Sequence, residues 1–155
     1  MGPVGADEHE ILALVRLSKT NPTGGNYQPR VTARAQADPR NGYSARLTHS
    51  TTGALTWGLS RVANAGGSGT MQLGAGTLVS SGAAGTRWWI RLRVSGTTVQ
   101  ARFWRDGAPE PSSWTATATD SYWAGGRPSF GVYVGPVAGP YPDTGFASFR
   151  ADDLG

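Results

Sequence analysis

Hydrophobic and polar residues alternate along this chain in short runs separated by turn-forming residues. Alternation with period two marks strands that bury one face. The clearest case is the stretch 87–104, RWWIRLRV-SG-TTVQARFW. Ser95-Gly96 predicts a two-residue hairpin turn, with glycine supplying the positive φ that such turns need. If Val94 pairs with Thr97, then Leu92 faces Val99, Ile90 faces Ala101 and Trp88 faces Phe103, all on one apolar side. The opposite side carries Arg87, Trp89, Arg91, Arg93, Gln100, Arg102 and Trp104, with Trp89 beside Arg102 and Arg87 beside Trp104. One face is core; the other is cationic and aromatic.

The same pattern predicts further strands at 11–17, 27–37, 43–49, 54–62, 70–73, 114–119, 130–134 and 146–151. The run 11–17 is apolar on both faces, as in an interior strand. In 27–37, Val31, Ala33 and Ala35 oppose Arg30, Thr32 and Arg34. Asp38-Pro39-Arg40-Asn41-Gly42 is a turn, Asn64 to Gly69 is a Gly-rich turn, and 135–145 is a long Pro/Gly loop of the kind often used for function. About ten short strands at this spacing predict an all-β, two-sheet antiparallel jelly-roll sandwich. Residues 1–6 read as a flexible lead-in and 7–155 as one domain.

Composition agrees: Gly (23) and Pro (10) are frequent, and the apolar share of 38% is enough for a core. The net charge of +4 permits anionic partners without choosing among them. Lys19 is the only lysine, a bias that reads mainly as codon usage. Cysteine is absent, which excludes disulfides and thiolate chemistry. No apolar run is long enough to span a membrane, and Asp7, Glu8 and Glu10 precede the first apolar run, the reverse of a signal peptide.

The run Arg102-Phe-Trp104-Arg-Asp-Gly107-Ala-Pro-Glu110-Pro111-Ser-Ser-Trp114, with the WWIRLRV hairpin before it, the GYSARL strand at 42–47 and the closing Asp152-Asp153-Leu154, resembles concanavalin A-like lectin/glucanase jelly rolls of the laminin-G type. Relatives of this pattern occur in actinobacteriophage tail proteins and secreted actinobacterial proteins. The resemblance covers residues 7–154 and implies the jelly-roll fold; for function it implies little, because this fold hosts lectins, glycosidases, lyases and structural modules. It also implies an additional opening strand paired with the last one. This chain has no aromatic-rich run for it, so either the sequence is trimmed there or the missing edge is supplied by a neighbouring chain. A structural calcium, held by Asp152 and Asp153 with Asp143 or Asp120, is a further implication; otherwise no cofactor is expected.

Candidate chemistry is sparse. Glu8 and Glu10 share strand parity, but they lack the flanking pattern of a glucanase site and read as a solvated terminus. His9 and His49, the only histidines, do not make a zinc site, and the Gly-rich segments lack the lysine of a phosphate loop. What remains is a recognition surface. Sugars stack on aromatic rings while Arg and Gln fix their hydroxyls. The candidate ligand-binding residues are therefore Trp89, Arg91, Arg93, Gln100, Arg102 and Trp104, extended by Tyr133 on a nearby strand and by Tyr122, Trp123 and Tyr141 on loops. Trp89 and Trp104 read equally well as packing; Trp57 and Trp88 read as core.

The expectation is a non-enzymatic module of a phage virion, a tail or surface-decoration protein. Its partners would be glycans of a bacterial cell surface, other virion subunits or a second copy of itself. The alternative is a carbohydrate-binding module of a secreted actinobacterial glycan-active enzyme. Glycan cleavage would need Glu8 and Glu10, or Glu110 with a distant Asp, to converge. Nucleic-acid binding ranks last, since acidic residues are interspersed and no motif for it appears.

Overall fold

The structure, a computed structural model, describes residues 8–64, 69–135 and 143–154. The predicted lead-in, most of the Gly-rich turn after Asn64 and the middle of the loop 135–145, Tyr141 included, lie outside the described residues. Ten strands follow one another: β1 (His9–Arg16), β2 (Tyr27–Ala35), β3 (Gly42–His49), β4 (Leu55–Val62), β5 (Thr70–Val79), β6 (Arg87–Ser95), β7 (Thr98–Arg105), β8 (Ala116–Thr119), β9 (Arg127–Val134) and β10 (Gly145–Asp153). They form two five-stranded antiparallel sheets, β10-β1-β6-β7-β8 and β5-β4-β3-β2-β9. This is the expected all-β jelly-roll sandwich.

The alternating residues meet between the sheets. Ile11, Val15, Ile90, Leu92, Val94 and Val99 from the first sheet and Val31, Ala45, Leu47 and Leu59 from the second are fully buried. Each such aliphatic side chain contributes about 1.5–3 kcal/mol of transfer free energy. Trp88 also lies in this core, and Trp57 stacks on Phe103 across it at 5.5 Å between ring centroids. At the edge, Phe130 of β9 meets Phe146 and Phe149 of β10.

Four expectations are corrected. First, the β6–β7 turn is centred on Gly96-Thr97, not on Ser95-Gly96, because Ser95 pairs with Thr98. Gly96, at the first central position, takes φ +56°, where only glycine is unstrained. The inward set is unchanged, but the outward partners move: Trp89 faces Trp104 and Arg91 faces Arg102. Second, a register shift follows Thr32 in β2, and Arg34, expected on the polar face, adopts φ +51° and is 1% exposed. Third, β5 runs on past Leu73 to Val79. Gly74 and Gly76 look like strand breakers, but they sit where the Trp57 ring crosses β5. Fourth, β1 itself pairs with the final strand along its length, His9 with Asp153 through Arg16 with Gly145. It is an interior strand, as its two apolar faces require, and no missing strand has to be supplied between it and β10.

Candidate functional site

The outward face of the first sheet gathers six of the predicted residues. Trp89 and Trp104 stack at 6.0 Å with 15° between their planes, and Trp89 Nε1 donates to Asp106 Oδ1 at 3.0 Å. Trp104 is 8% exposed. The turn between β7 and β8 folds back over the strands that precede it. Arg91 pairs with Glu10 and donates from Nη2 to Glu110 Oε2 at 3.0 Å, while Arg102 Nη1 lies 3.1 Å from Glu110 Oε1 and donates to the Pro111 carbonyl at 2.6 Å. The Arg102 guanidinium also sits 3.9 Å above the Trp114 ring. Burial pulls the Arg91 pKa down, but Glu110 and Glu10 outweigh it and hold the group above its ordinary value. Gln100 Nε2 donates to Thr117 Oγ1 at 3.2 Å. Of the predicted cations here, only Arg93 has no hydrogen bond or ion pair among the described residues. Charge and aromatic surface on this face are largely matched within the fold.

Tyr133 does not extend that face. It lies in β9, in the other sheet, opposite Gln28. Tyr122 and Trp123 belong to a third place, at the end of the sandwich. Asp120 there accepts from Tyr43 Oη at 2.7 Å and from Arg61 Nη1 at 3.0 Å, and the Arg61 guanidinium sits 4.4 Å above the Tyr122 ring. This cluster closes the sandwich end.

The described donors considered from sequence are engaged within the fold. Asp120 is held by Tyr43 and Arg61, Asp143 pairs with Arg16 at 2.5 Å, and Asp152 pairs with Arg150 at 2.9 Å. Among the described residues no three His, Cys, Asp or Glu side chains converge, and the side chain of Asp153, a member of the calcium set that the resemblance implies, lies outside what is described. His9 Nδ1 accepts from the Arg34 backbone N–H, and His49 Nε2 meets Asn21 Oδ1. Glu8 accepts from Ser95 Oγ at 2.8 Å, and Glu10 and Glu110 are taken by arginines. No helix among the described residues is long and apolar enough to cross a membrane.

A different surface offers unmatched chemistry. On the outward face of the second sheet, Gln28, Arg30, Arg40, Ser44, Arg46, Val62, Thr70 and Tyr133 line an open groove of about 290 Å³. A second hollow of about 250 Å³ adjoins it, sharing Arg30, Arg40 and Tyr133 and running onto Pro39, Phe130 and Val132. Strand parity places these side chains: Val31 and Ala45 point inward, so Arg30, Ser44 and Arg46 point out. Arg30 and Arg46 are directly opposite in register. Arg46 Nη1 donates to the buried Ser60 Oγ at 2.7 Å, and Arg30 lies 5.7 Å from the centroid of the half-exposed Tyr133 ring. Burial lowers the pKa of both guanidiniums, and for Arg30 the charges of Arg46 and Arg40 lower it further. Arg40 at the rim is already paired with Asp38, whose carboxyl it holds down at about 2.

Sequence reasoning placed Arg30 on a polar face and passed over Arg46. Closing the turn 38–42 symmetrically would put Ala37 opposite Tyr43 and Arg34 opposite Arg46. The irregularity around Arg34 in β2 offsets the register, so that Ala33 meets Tyr43 and Arg30 meets Arg46.

No protein-family model matches the chain, and no curated protein does. Among solved structures it is similar to a variant of human galectin-16, at 10% identity over 97% of this chain and 90% of that one, with a TM-score of 0.48.

Proposed function

We propose that this chain is a non-enzymatic recognition module of a phage virion, a tail or surface-decoration protein, that binds glycan of a bacterial cell surface. The observation that carries the binding reading is the groove on the second sheet. Two guanidiniums lie there beside a half-exposed tyrosine with hydrogen-bond donors that the fold does not use. Pockets with a few convergent polar groups and an apolar wall are the usual form of a ligand site. Binding rather than cleavage is supported by the carboxylates: Glu8, Glu10 and Glu110, the residues a glycan-cleaving site would draw on, are each bonded to Ser95 or to arginine. The virion assignment is supported by the resemblance of the sequence to jelly rolls of actinobacteriophage tail proteins. Other virion subunits or a second copy would be its further partners. The alternative, a carbohydrate-binding module of a secreted actinobacterial enzyme, uses the same site in another setting.

The test is binding of the purified chain to actinobacterial cell walls and to a glycan array, comparing wild type with folded Tyr133→Ala and Trp89→Ala variants. Loss on Tyr133→Ala alone assigns the site to the second-sheet groove. Loss on Trp89→Ala alone assigns it to the first-sheet face predicted from sequence. A folded wild type that binds neither walls nor any glycan overturns the lectin reading and leaves subunit contact as the role.

A further inference from the structure

Three cross-strand arginine pairs lie among the described residues. In one, Arg16 opposite Arg87, each guanidinium has its own aspartate, Asp143 and Asp106. The other two are treated differently. Arg91 stands opposite Arg102 in the first sheet, and Arg30 stands opposite Arg46 in the second. Like charges placed directly across a sheet destabilise it. In the first pair the repulsion is relieved from within: one carboxylate, Glu110, spans both guanidiniums, with contacts of 3.0 Å to Arg91 and 3.1 Å to Arg102. In the second pair no carboxylate of the described residues reaches either partner. Arg30 makes no hydrogen bond there, and Arg46 makes one, to Ser60.

From this contrast we infer that the ligand of the second-sheet groove is an anionic sugar whose carboxylate, sulfate or phosphate bridges Arg30 and Arg46 as Glu110 bridges Arg91 and Arg102. The inference rests on the reading of this groove as the recognition site and adds the charge of what it takes. Guanidinium forks match such oxyanions two N–H groups at a time, and charge-assisted bonds of this kind are about twice as strong as neutral ones. The geometry is prepared on one side: Ser60 holds Arg46, and its guanidinium rests against Gly58. On the other side Tyr133 offers a ring for the C–H face of the sugar that carries the anion. Arg40 at the rim is already ion-paired with Asp38.

The experiment measures binding of polygalacturonate, dextran sulfate, a glycerol-phosphate teichoic acid, neutral dextran and a single-stranded oligonucleotide at about 0.15 M salt, where long-range attraction is screened beyond about 8 Å. Because the whole chain is basic, R30Q/R46Q is compared with R105Q/R150Q, which removes the same charge from outside the groove. The expected result is binding of at least one anionic glycan in clear preference to dextran. That binding should fall about tenfold or more in R30Q/R46Q and persist in R105Q/R150Q. Which polymer binds identifies the anion. R30Q/R46Q should melt no earlier than wild type; if it does, R30Q alone is read, since that side chain makes no hydrogen bond among the described residues. Equal loss in both double variants, preference for the oligonucleotide, or binding of none of the anionic glycans overturns the inference. Dextran or cell-wall binding that R30Q/R46Q leaves intact overturns it too, while preserving the recognition reading. Failure to bind every glycan and the walls removes both.

Discussion

The Arg46 guanidinium rests against Gly58 so closely that a Cβ on that glycine would come within 2.9 Å of its Cζ. Gly58 pairs directly with Arg46 across β3 and β4, so the missing side chain is what leaves room for the cation to lie along the sheet. Gly58→Ala keeps every charge of the groove and moves only the far end of a flexible side chain. We expect a stability change within about 1 kcal/mol, since alanine also favours the strand over glycine. Affinity for the anionic glycan should fall about three- to tenfold, the loss of roughly one well-formed hydrogen bond. Parallel thermal melts and binding isotherms check both halves. Unchanged affinity would mean that the position of Arg46 does not matter to the ligand.

Gly76 holds a different neighbour. Its added Cβ would lie 2.6 Å from Trp57 Nε1 and 3.0 Å from Cε2. Trp57 cannot give way easily, because its other side stacks on Phe103 across the core. Gly76→Ala should therefore cost about 1–3 kcal/mol, the range for overpacking. In urea unfolding the midpoint should fall while the slope stays constant.

These glycines show what the sequence could and could not reveal. Period-two alternation identifies which residues point inward, so the strands of the Arg87–Trp104 hairpin and their core faces were legible. Moving the turn centre from Ser95-Gly96 to Gly96-Thr97 shifts each pairing by two residues in total and leaves every side chain on its own face. Alternation is blind to that shift, yet it decides that Trp89 meets Trp104 and Arg91 meets Arg102. The groove was lost the same way: Arg30 and Arg46 each read as ordinary polar-face cations, and only register makes them a pair. Tyr133 was singled out for its chemistry but placed on the wrong sheet, because strand order is set by long-range packing. Gly74 and Gly76 read as a break in β5, because local propensity does not see the Trp57 ring that fills their place.

Arg34 departs most from its local pattern. Its backbone turns at the β2 irregularity, and its Nη1 donates to the Gly96 carbonyl at 2.9 Å and to the Trp123 carbonyl at 2.7 Å. One buried guanidinium thus ties the β6–β7 turn and the segment before β9 to β2. Arg34→Met keeps the bulk and removes the donors, leaving two carbonyls without their partner. At about 1–3 kcal/mol for each unmet group, the loss should be on the order of 3 kcal/mol. For a domain of this size that lowers the melting temperature by about 6–12 °C. A drop of a degree or two would show that water replaces the guanidinium at little cost.

His49 gives the fold a pH dependence whose sign follows from its surroundings. The ring is fully buried, its Nε2 meets Asn21 Oδ1 at 3.3 Å, and its Nδ1 has no hydrogen-bond partner among the described residues. The neutral ring protonated at Nε2 satisfies this site; a second proton would put a donor on Nδ1 with nothing to accept it. Burial accordingly lowers the pKa below the ordinary 6.5. The unfolded chain then takes up the proton first, so stability is complete above about pH 6.5 and falls as the pH drops toward the folded-state value. The slope is at most about 1.4 kcal/mol per pH unit while His49 alone titrates differently in the two states. His49→Gln cannot titrate, so it should be less stable than wild type at pH 8, with the gap narrowing toward pH 5. Urea midpoints at the two pH values decide it, and a gap independent of pH would show that the buried ring accepts its proton without penalty.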